Sequence, residues 1–266
     1  MCERRIIDSL CVRHPFFAST RPLVFAHRGG SALAPENTME AFDNGAALGA
    51  DGLELDVHLS RDGAVVVHHD PTLDRTTALR GPIVDRTADE LRRAAVPTLA
   101  DVLARHCDAR VIVELKVNSE ALARAAVDVV RRAGAVDRVC FGSFGWRVLR
   151  AVRGIEPAIA TSAAREEVRW ALYRSRCRWP VTRVAYRGYQ VPEFAGRTHV
   201  VSPRFVEDAH AAGLGVQVWT VDTEDEARRM LACGVDGLIT DRPDIIVPFA
   251  RRTALSSLDS LGMPYR

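Results

Sequence analysis

The sequence predicts an α/β fold, a (β/α)8 TIM barrel, with a small insertion after the second strand. Eight short apolar runs alternate with segments of helical periodicity, which favours a parallel barrel over an open sheet. The 266 residues suit one domain of this kind, which typically takes about 250 residues. Hydrophobic residues make up 47% of the chain, an ordinary content for a globular protein with a full core.

The first strand and helix set the pattern. Residues 24–27 are a short apolar run that stops abruptly at His27-Arg28-Gly29-Gly30. A buried strand that delivers polar residues to its own C-terminal end has this form. Asn37 is then predicted as the N-cap of a helix, with Glu40 three residues on at a capping-box spacing, and Gly49 ends the helix.

The remaining elements follow in order. The other predicted strands are 52–57, 110–117, 139–141, 158–161, 183–186, 215–220 and 237–240, with a short extra strand at 200–201. The predicted helices are 88–93, 99–106, 120–133, 146–152, 166–176, 205–212 and 224–232. A turn at 60–63 and a second apolar run at 64–69 come before the first of these helices. About forty residues therefore separate the second strand from the helix at 99–106, which is long for a barrel loop. Long loops on the C-terminal face commonly carry function.

The barrel domain is expected to span residues 23–250, after an N-terminal lead-in at 1–22 and before a C-terminal tail at 251–266. No internal repeat, linker or low-complexity tract indicates a second domain. Residues 14–17 of the lead-in, His-Pro-Phe-Phe, are expected to pack against the floor of the barrel.

Bulk properties exclude several classes of protein. The net charge of +2 gives no strong steering field, and we predict no nucleic-acid partner. No run of eighteen apolar residues predicts a membrane span, and no apolar region of signal-peptide type is found. The six cysteines contain no Cys-x-x-Cys pair, which favours a reduced, cytoplasmic protein. The oligomeric state stays open.

Polar residues end five of the predicted strands. They are His27 and Arg28, Glu54 and Asp56, Glu114 and Lys116, Trp219, and Asp241. In a parallel barrel the active site lies at these C-terminal strand ends. The sequence therefore predicts that these side chains converge at one mouth of the barrel.

The carboxylates indicate a metal site. Glu54 and Asp56 share one face of their strand, about 6.6 Å apart, and repel each other unless a cation lies between them. With Glu114 they form an all-oxygen cluster, which selects Mg²⁺ or Ca²⁺ over zinc. Two alternatives remain open: a solvent-facing strand edge, and an ion-pair network with Arg28 and Lys116.

Two histidines are the acid–base candidates. His27 and His69 each follow an apolar run, and histidine alone titrates near neutrality without help. A structural role for each is the alternative, while His58 and His68 are expected to be surface or packing residues. Arg28 and Lys116 can hold phosphate oxygens, one as a fork and the other as a point charge.

Four short motifs follow one another along the chain: His-Arg-Gly at 27–29, Pro-Glu-Asn-Thr at 35–38, Glu-Leu-Asp-Val at 54–57, and His-Asp at 69–70. In this order they resemble the glycerophosphodiester phosphodiesterase family. The resemblance implies a metal-dependent hydrolase on a (β/α)8 barrel, with Glu54, Asp56 and Glu114 as metal ligands. It also implies that Trp219 walls a glycerol pocket, for which a barrel-core aromatic is the alternative. Gln190, Phe144 and Asp241 are weaker candidates of the same sort.

The implied reaction splits glycerophosphodiesters into glycerol 3-phosphate and an alcohol. One histidine activates the attacking hydroxyl and the other protonates the leaving alcohol, and a neighbouring glycerol hydroxyl can be the first nucleophile. Which histidine does which stays open. The alternatives are lysophospholipase D-type activity on lysophospholipids, a non-catalytic phosphodiester-binding barrel, and a sugar isomerase or aldolase on the same fold.

Residues 165–187 combine arginines with tryptophans and tyrosines. Such a segment can meet a membrane surface or a nucleic acid. The alternative, which charge runs favour, is a solvated helix face in an arginine-rich chain.

Overall fold

The computed structural model describes residues 13–182 and 184–260. The strands, in chain order, are β1 Leu23–His27, β2 Gly52–Leu59, β3 Val65–Val67, β4 Arg110–Leu115, β5 Val139–Gly142, β6 Ala160–Thr161, β7 Gly188–Pro192, β8 Phe194–Ala195, β9 Thr198–His199, β10 Gly215–Trp219 and β11 Gly237–Thr240. The helices are α1 Met39–Ala47, α2 Ala88–Arg93, α3 Leu99–Arg105, α4 Glu120–Arg132, α5 Trp146–Ile155, α6 Arg165–Arg176, α7 Pro203–Ala211, α8 Glu224–Ala232 and α9 Pro243–Ser260.

Eight of these strands form a parallel barrel. Neighbours follow the order β6, β5, β4, β2, β1, β11, β10, β7. A parallel bridge between Ser162, just after β6, and Gly188, at the start of β7, joins the two ends. β3 pairs antiparallel with β2 and begins the insertion, which continues through α2. The predicted TIM barrel with an insertion after its second strand is confirmed.

The alternation predicted for the second strand is present in β2. Leu53, Leu55 and Val57 are fully buried in the layer between the barrel and its helices. Glu54 and Asp56, which lie between them in sequence, therefore face the interior of the barrel. The hydrophobic layer thus fixes which way the carboxylates point.

The floor of the barrel is sealed by the lead-in. Phe16 and Phe17 are buried, and Phe16 stacks on Phe25 of β1. Gly188 and Gly215 each start a strand against the ring of Phe17, and a Cβ added at either position would lie about 2.5 Å from that ring. The expected packing of residues 14–17 is confirmed, whereas residues 1–12 lie outside the described chain.

The sixth barrel strand begins later than the sequence predicts. The predicted strand is 183–186, but β7 runs over 188–192, and Arg183 lies outside the described residues. Tyr186 is buried, and its hydroxyl lies 3.0 Å from that of Tyr189. The burial of Tyr186 therefore comes from packing beside the sheet and not from a position in a strand. Only a glycine can start the strand against Phe17, which moves the strand to Gly188.

Three smaller expectations also change. Val200 and Val201 are buried core residues outside any strand, because the short hairpin of β8 and β9 ends at His199. The N-cap of α1 is Thr38, whose hydroxyl accepts from the amide of Ala41, rather than Asn37. Helix α9 continues across the boundary placed between residues 250 and 251. No helix within the described residues is long and apolar enough to span a bilayer.

Candidate active site

The predicted site residues meet in one cavity of about 720 Å³ at the C-terminal ends of the strands. Its lining includes His27, Arg28, Glu54, Asp56, His69, Glu114, Lys116 and Trp219, together with the weaker candidates Gln190 and Phe144. The register of the strands brings these side chains together. His27 of β1 pairs with Glu54 of the adjacent strand β2, and Asp56 of β2 pairs with Glu114 of the adjacent strand β4.

His27 lies between two carboxylates. Its Nδ1 is 2.6 Å from Oδ1 of Asp241, which follows β11, and its Nε2 is 3.7 Å from Oε2 of Glu54. Burial by itself lowers the pKa of His27, but the nearby charges of Glu54 and Asp241 outweigh it and leave the pKa raised. The hydroxyl of Ser31 also donates to Asp241, at 2.5 Å. Asp241 therefore orients the imidazole ring.

His69 has an equivalent partner. Its Nδ1 is 2.6 Å from Oδ1 of Asp70, and Asp70 accepts from Nε of Arg75 through its other oxygen, also at 2.6 Å. The hydrogen bond from Arg75 is the main reason that the pKa of Asp70 is lowered, with His69 adding to it. An ionised Asp70 holds the proton of His69 on Nδ1, which leaves Nε2 as the nitrogen available for chemistry.

Neighbouring cations balance the negative charge of two of the three predicted metal ligands, Glu54 and Glu114, only poorly. Burial, followed by the charge of Asp56, raises the pKa of Glu54 to about 8. Burial also raises the pKa of Glu114 to about 7, while the charge of Lys116 opposes this shift and the repulsion from Asp56 adds to it. In their charged forms these two carboxylates would therefore carry more negative charge than their surroundings balance.

The cations of the site pair with Asp56. Nζ of Lys116 lies 3.2 Å from Oδ1 of Asp56 and 3.8 Å from Oε1 of Glu114. Nε of Arg28 lies 3.3 Å from the other oxygen of Asp56, and its Nη1 donates to Glu36 at 3.1 Å. The ion-pair network that the sequence left open as an alternative is therefore present.

The residues nevertheless fit a divalent cation. Within the described part of the chain, no group of three or more His, Cys, Asp or Glu side chains is already arranged as a complete metal site. Lys116 and Arg28 lie against the carboxylates instead. The raised pKa values of Glu54 and Glu114 mean that these two cations do not offset the cost of burying both carboxylates in their charged form. An all-oxygen donor set with excess negative charge suits Mg²⁺ or Ca²⁺.

Sequence reasoning missed two residues of the segment 36–37. Asn37 has a φ of +58° and is buried; its amide group donates to Oδ2 of Asp56 at 2.9 Å and accepts from the backbone N–H of Asp56 at 3.3 Å. Glu36 accepts from Arg28 and from both Nη atoms of Arg75. The Pro-Glu-Asn-Thr motif at 35–38 is the available signal, although its capping pattern predicts only the start of a helix.

The far side of the cavity is apolar. Trp219 packs edge-on against Phe144, with ring centroids 6.2 Å apart, and Arg165 lies over the Phe144 ring. Six further apolar residues continue this wall: Ala163, Val168, Leu172, Val191, Pro192 and Phe194. The cavity therefore has a charged half around the carboxylates and an apolar half that extends to α6 and β8.

His58 and His68 lie behind the site, as expected for packing residues. Nε2 of His58 is 3.1 Å from the carbonyl oxygen of His69, and Nδ1 of His68 is 3.0 Å from that of Asp70. Both histidines contact the backbone of the segment that carries His69. Burial lowers the pKa of each.

Fold and site together define a class: a TIM-barrel enzyme with two aspartate-held histidines at its strand ends. Residues 27–245 match the model of the glycerophosphoryl diester phosphodiesterase family, and the chain belongs to that family. The glycerophosphodiester phosphodiesterase of Caldanaerobacter subterraneus subsp. tengcongensis is 31% identical over 252 residues, which cover 87% of this chain and 99% of that protein. The glycerophosphodiester phosphodiesterase of Bacillus altitudinis is 31% identical over 243 residues, 83% of this chain and 95% of its own.

A solved structure supports the same assignment. The phosphodiesterase of Oleispira antarctica, in complex with the product sn-glycerol-3-phosphate, superposes with a TM-score of 0.69 at 26% identity. The match covers 89% of this chain and 97% of that one. The predicted enzyme class, a glycerophosphodiester phosphodiesterase, is confirmed.

Proposed function

We propose that the protein hydrolyses glycerophosphodiesters to glycerol 3-phosphate and an alcohol, using His27 and His69 as the acid–base pair. The observation that carries this proposal is that both histidines line one cavity and each is held through Nδ1 by an aspartate at 2.6 Å. A matched pair of this kind can take a proton on one side of a phosphodiester and give one on the other. The product-bound Oleispira antarctica relative supports the same product.

The reaction requires two proton transfers, one from the attacking hydroxyl and one to the leaving oxygen. One histidine takes the proton of the attacking hydroxyl, which is water or a neighbouring glycerol hydroxyl, as its oxygen bonds to phosphorus. The bond from phosphorus to the leaving oxygen breaks, and the other histidine gives that oxygen a proton. If glycerol attacks first, the cyclic phosphodiester is opened by water in a second round.

We also propose that Glu54, Asp56 and Glu114 hold Mg²⁺ or Ca²⁺. When bound, the ion would neutralise charge that develops on the phosphoryl oxygens. Arg28 and Lys116 now pair with Asp56, and a phosphate in the cavity offers both of them an alternative partner. Arg28 suits two phosphate oxygens as a planar fork, and Lys116 suits one as a compact charge.

The test is turnover of a small panel of glycerophosphodiesters, such as glycerophosphocholine and glycerophosphoethanolamine, with release of glycerol 3-phosphate as the readout. Chelation of divalent ions should abolish turnover, and Mg²⁺ or Ca²⁺ should restore it. Full activity in excess EDTA would refute the metal, and turnover without glycerol 3-phosphate would refute the proposed products.

A second candidate is hydrolysis of lysophospholipids in the same cavity. The observation in its favour is the apolar wall from Phe144 to Phe194, which is larger than a glycerol group needs. Lysophosphatidylcholine and glycerophosphocholine share a head group and differ by one acyl chain, so their kcat/KM ratio separates the candidates. A ratio well above one favours the lipid substrate.

For the location of the protein we propose a reducing compartment, the cytoplasm. The four cysteines within the described residues, Cys107, Cys140, Cys177 and Cys233, are all unpaired. Unpaired cysteines are usual where thiols are kept reduced. Measurement of free thiols in protein isolated under alkylating conditions tests this, and a disulfide would contradict it.

A further inference from the structure

Three aromatic side chains form an exposed patch on α6 and the loop after it. Trp170, Tyr173 and Trp179 are 54%, 49% and 55% exposed. The rings of Trp170 and Tyr173 stack with centroids 5.4 Å apart, and Tyr173 meets Trp179 edge-on at 6.2 Å. Contiguous exposed apolar surface on a soluble protein commonly marks an interaction site. We call these three residues, with the arginines below, the α6 patch.

The arginines of the α6 patch are Arg169, Arg176 and Arg178. All three are exposed, and none of them forms an ion pair with a carboxylate in the described part of the chain. Exposed arginines elsewhere do pair, as Arg229 of α8 does with Glu193. Glu167, the inner carboxylate of α6, is occupied by Arg153. Glu166, the other carboxylate of α6, is exposed and lies one turn before Arg169, so the α6 patch is an aromatic surface with a net positive charge.

The α6 patch is continuous with the active-site cavity. Arg165, Val168, Arg169 and Leu172 of the same helix line the apolar half of that cavity. Arg169 lies in sequence directly before Trp170, so the cavity lining and the aromatic surface share one helix. A molecule bound on the patch would lie beside the apolar half of the cavity.

We propose that the α6 patch docks on an anionic lipid surface. Tryptophan and tyrosine rings are suited to the boundary between water and acyl chains, and arginines are attracted to anionic head groups. A second copy of the chain fits poorly, because a self-complementary contact places the same arginines against each other. A nucleic acid would use the rings and the charge but not the adjoining apolar wall of the cavity. The proposal concerns this surface and not the chemistry of the site.

The experiment is co-sedimentation of the full chain with vesicles of phosphatidylglycerol and phosphatidylcholine, beside vesicles of phosphatidylcholine alone. The protein should sediment with the anionic vesicles at low salt and be released by salt, because screening weakens the attraction. Trp170→Ser with Tyr173→Ser and Trp179→Ser should remove most of the binding. Arg176→Gln with Arg178→Gln should weaken it by about fivefold per arginine, the usual contribution near an anionic surface.

The matched control lies on α5, where Trp146 is 43% exposed and Arg150 lies over its ring. Trp146→Ser with Arg147→Gln and Arg150→Gln removes similar groups outside the cavity and should leave vesicle binding unchanged. Turnover of glycerophosphocholine should stay near wild type in every variant, which shows that each one folds. Absence of binding to anionic vesicles at low salt overturns the proposal. An equal loss of vesicle binding in the α5 control also overturns it. So does a dimer in solution that dissociates when the three aromatic residues are replaced.

Discussion

Arg75 holds Glu36 through two hydrogen bonds, from Nη2 to Oε1 at 2.7 Å and from Nη1 to Oε2 at 2.8 Å. The third donor of the same guanidinium, Nε, holds Asp70, the partner of His69. Glu36 in turn holds Arg28, the predicted phosphate ligand. One residue of the insertion therefore connects a predicted acid–base group to a predicted substrate-binding group.

We expect Arg75→Gln to lower kcat by about a hundredfold, because misplacing a reacting group by about 1 Å costs roughly that much. The melting temperature should change little, since the side chain is 48% exposed and exposed ion pairs contribute little to stability. Turnover and thermal melting measured on one preparation separate the two effects. Arg92→Gln is the control, because Arg92 is 51% exposed and also bridges two carboxylates, Asp89 and Asp101. Equal loss in both variants would contradict a positioning role.

The eight candidate site residues could be located from the sequence because each stands near the end of an apolar run, or alternates with apolar residues within one. In a parallel barrel such ends meet, so position along the chain predicts position in space. Arg75 escaped notice because its partners lie 5 and 39 residues away and belong to different segments. The start of β7 was missed for a similar reason, since only contact with Phe17 shows why Gly188 must begin it. Contacts between distant segments are invisible to periodicity.

Two substitutions of Asn37 separate the effect of its hydrogen bonds from the effect of backbone strain. Asn37→Gly removes the two contacts with Asp56 but accepts the positive φ, whereas Asn37→Ala also strains the backbone by roughly 1 kcal/mol. Both variants should lose activity to a similar extent, because both free the carboxylate of Asp56. Both variants should have a lower free energy of unfolding in urea, because both leave buried groups of Asp56 without a partner, and Asn37→Ala should be the less stable of the two. Full activity in Asn37→Gly would show that the contacts with Asp56 are not needed.

Loss of either predicted acid–base group should lower kcat by about 10²–10⁴, the range for positioned acids and bases. His27→Ala and His69→Ala should each remove a different limb of a bell-shaped pH–rate profile. His210→Ala is the control, since His210 pairs with Asp236 outside the cavity lining. His58 and His68 are poorer controls, because both contact the segment around His69. Loss of the same limb in both variants would contradict the pairing.

Cation binding should depend on pH through Glu54 and Glu114. Their pKa values are raised in the folded protein, to about 8 and about 7, so the stability they contribute is complete below their ordinary value near 4.5. That contribution is lost as the pH rises through 7 and 8, where both become charged and repel. Mg²⁺ or Ca²⁺ binds the charged forms, so it should raise the free energy of unfolding more at pH 8.5 than at pH 6.

The check is chemical denaturation at both pH values, with and without the cation. Glu54→Gln removes one titrating group and should reduce the difference between the two pH values. An equal gain from the cation at pH 6 and pH 8.5 in the unmodified protein would contradict the pKa argument.

Lys116 is the only lysine among 36 basic residues, and it lies 3.2 Å from Asp56 within the cavity. An ammonium is a compact charge that fits beside a cation and a phosphate, whereas a guanidinium is a wide planar fork. With Arg28 already on the other oxygen of Asp56, that extra width should displace the phosphate from its line with the histidines. We therefore expect Lys116→Arg, which keeps the charge, to lower kcat by about a hundredfold while the melting temperature and metal affinity stay near wild type. Near-wild-type turnover would mean that the site accepts either cation, and that the single lysine reflects the composition of the chain.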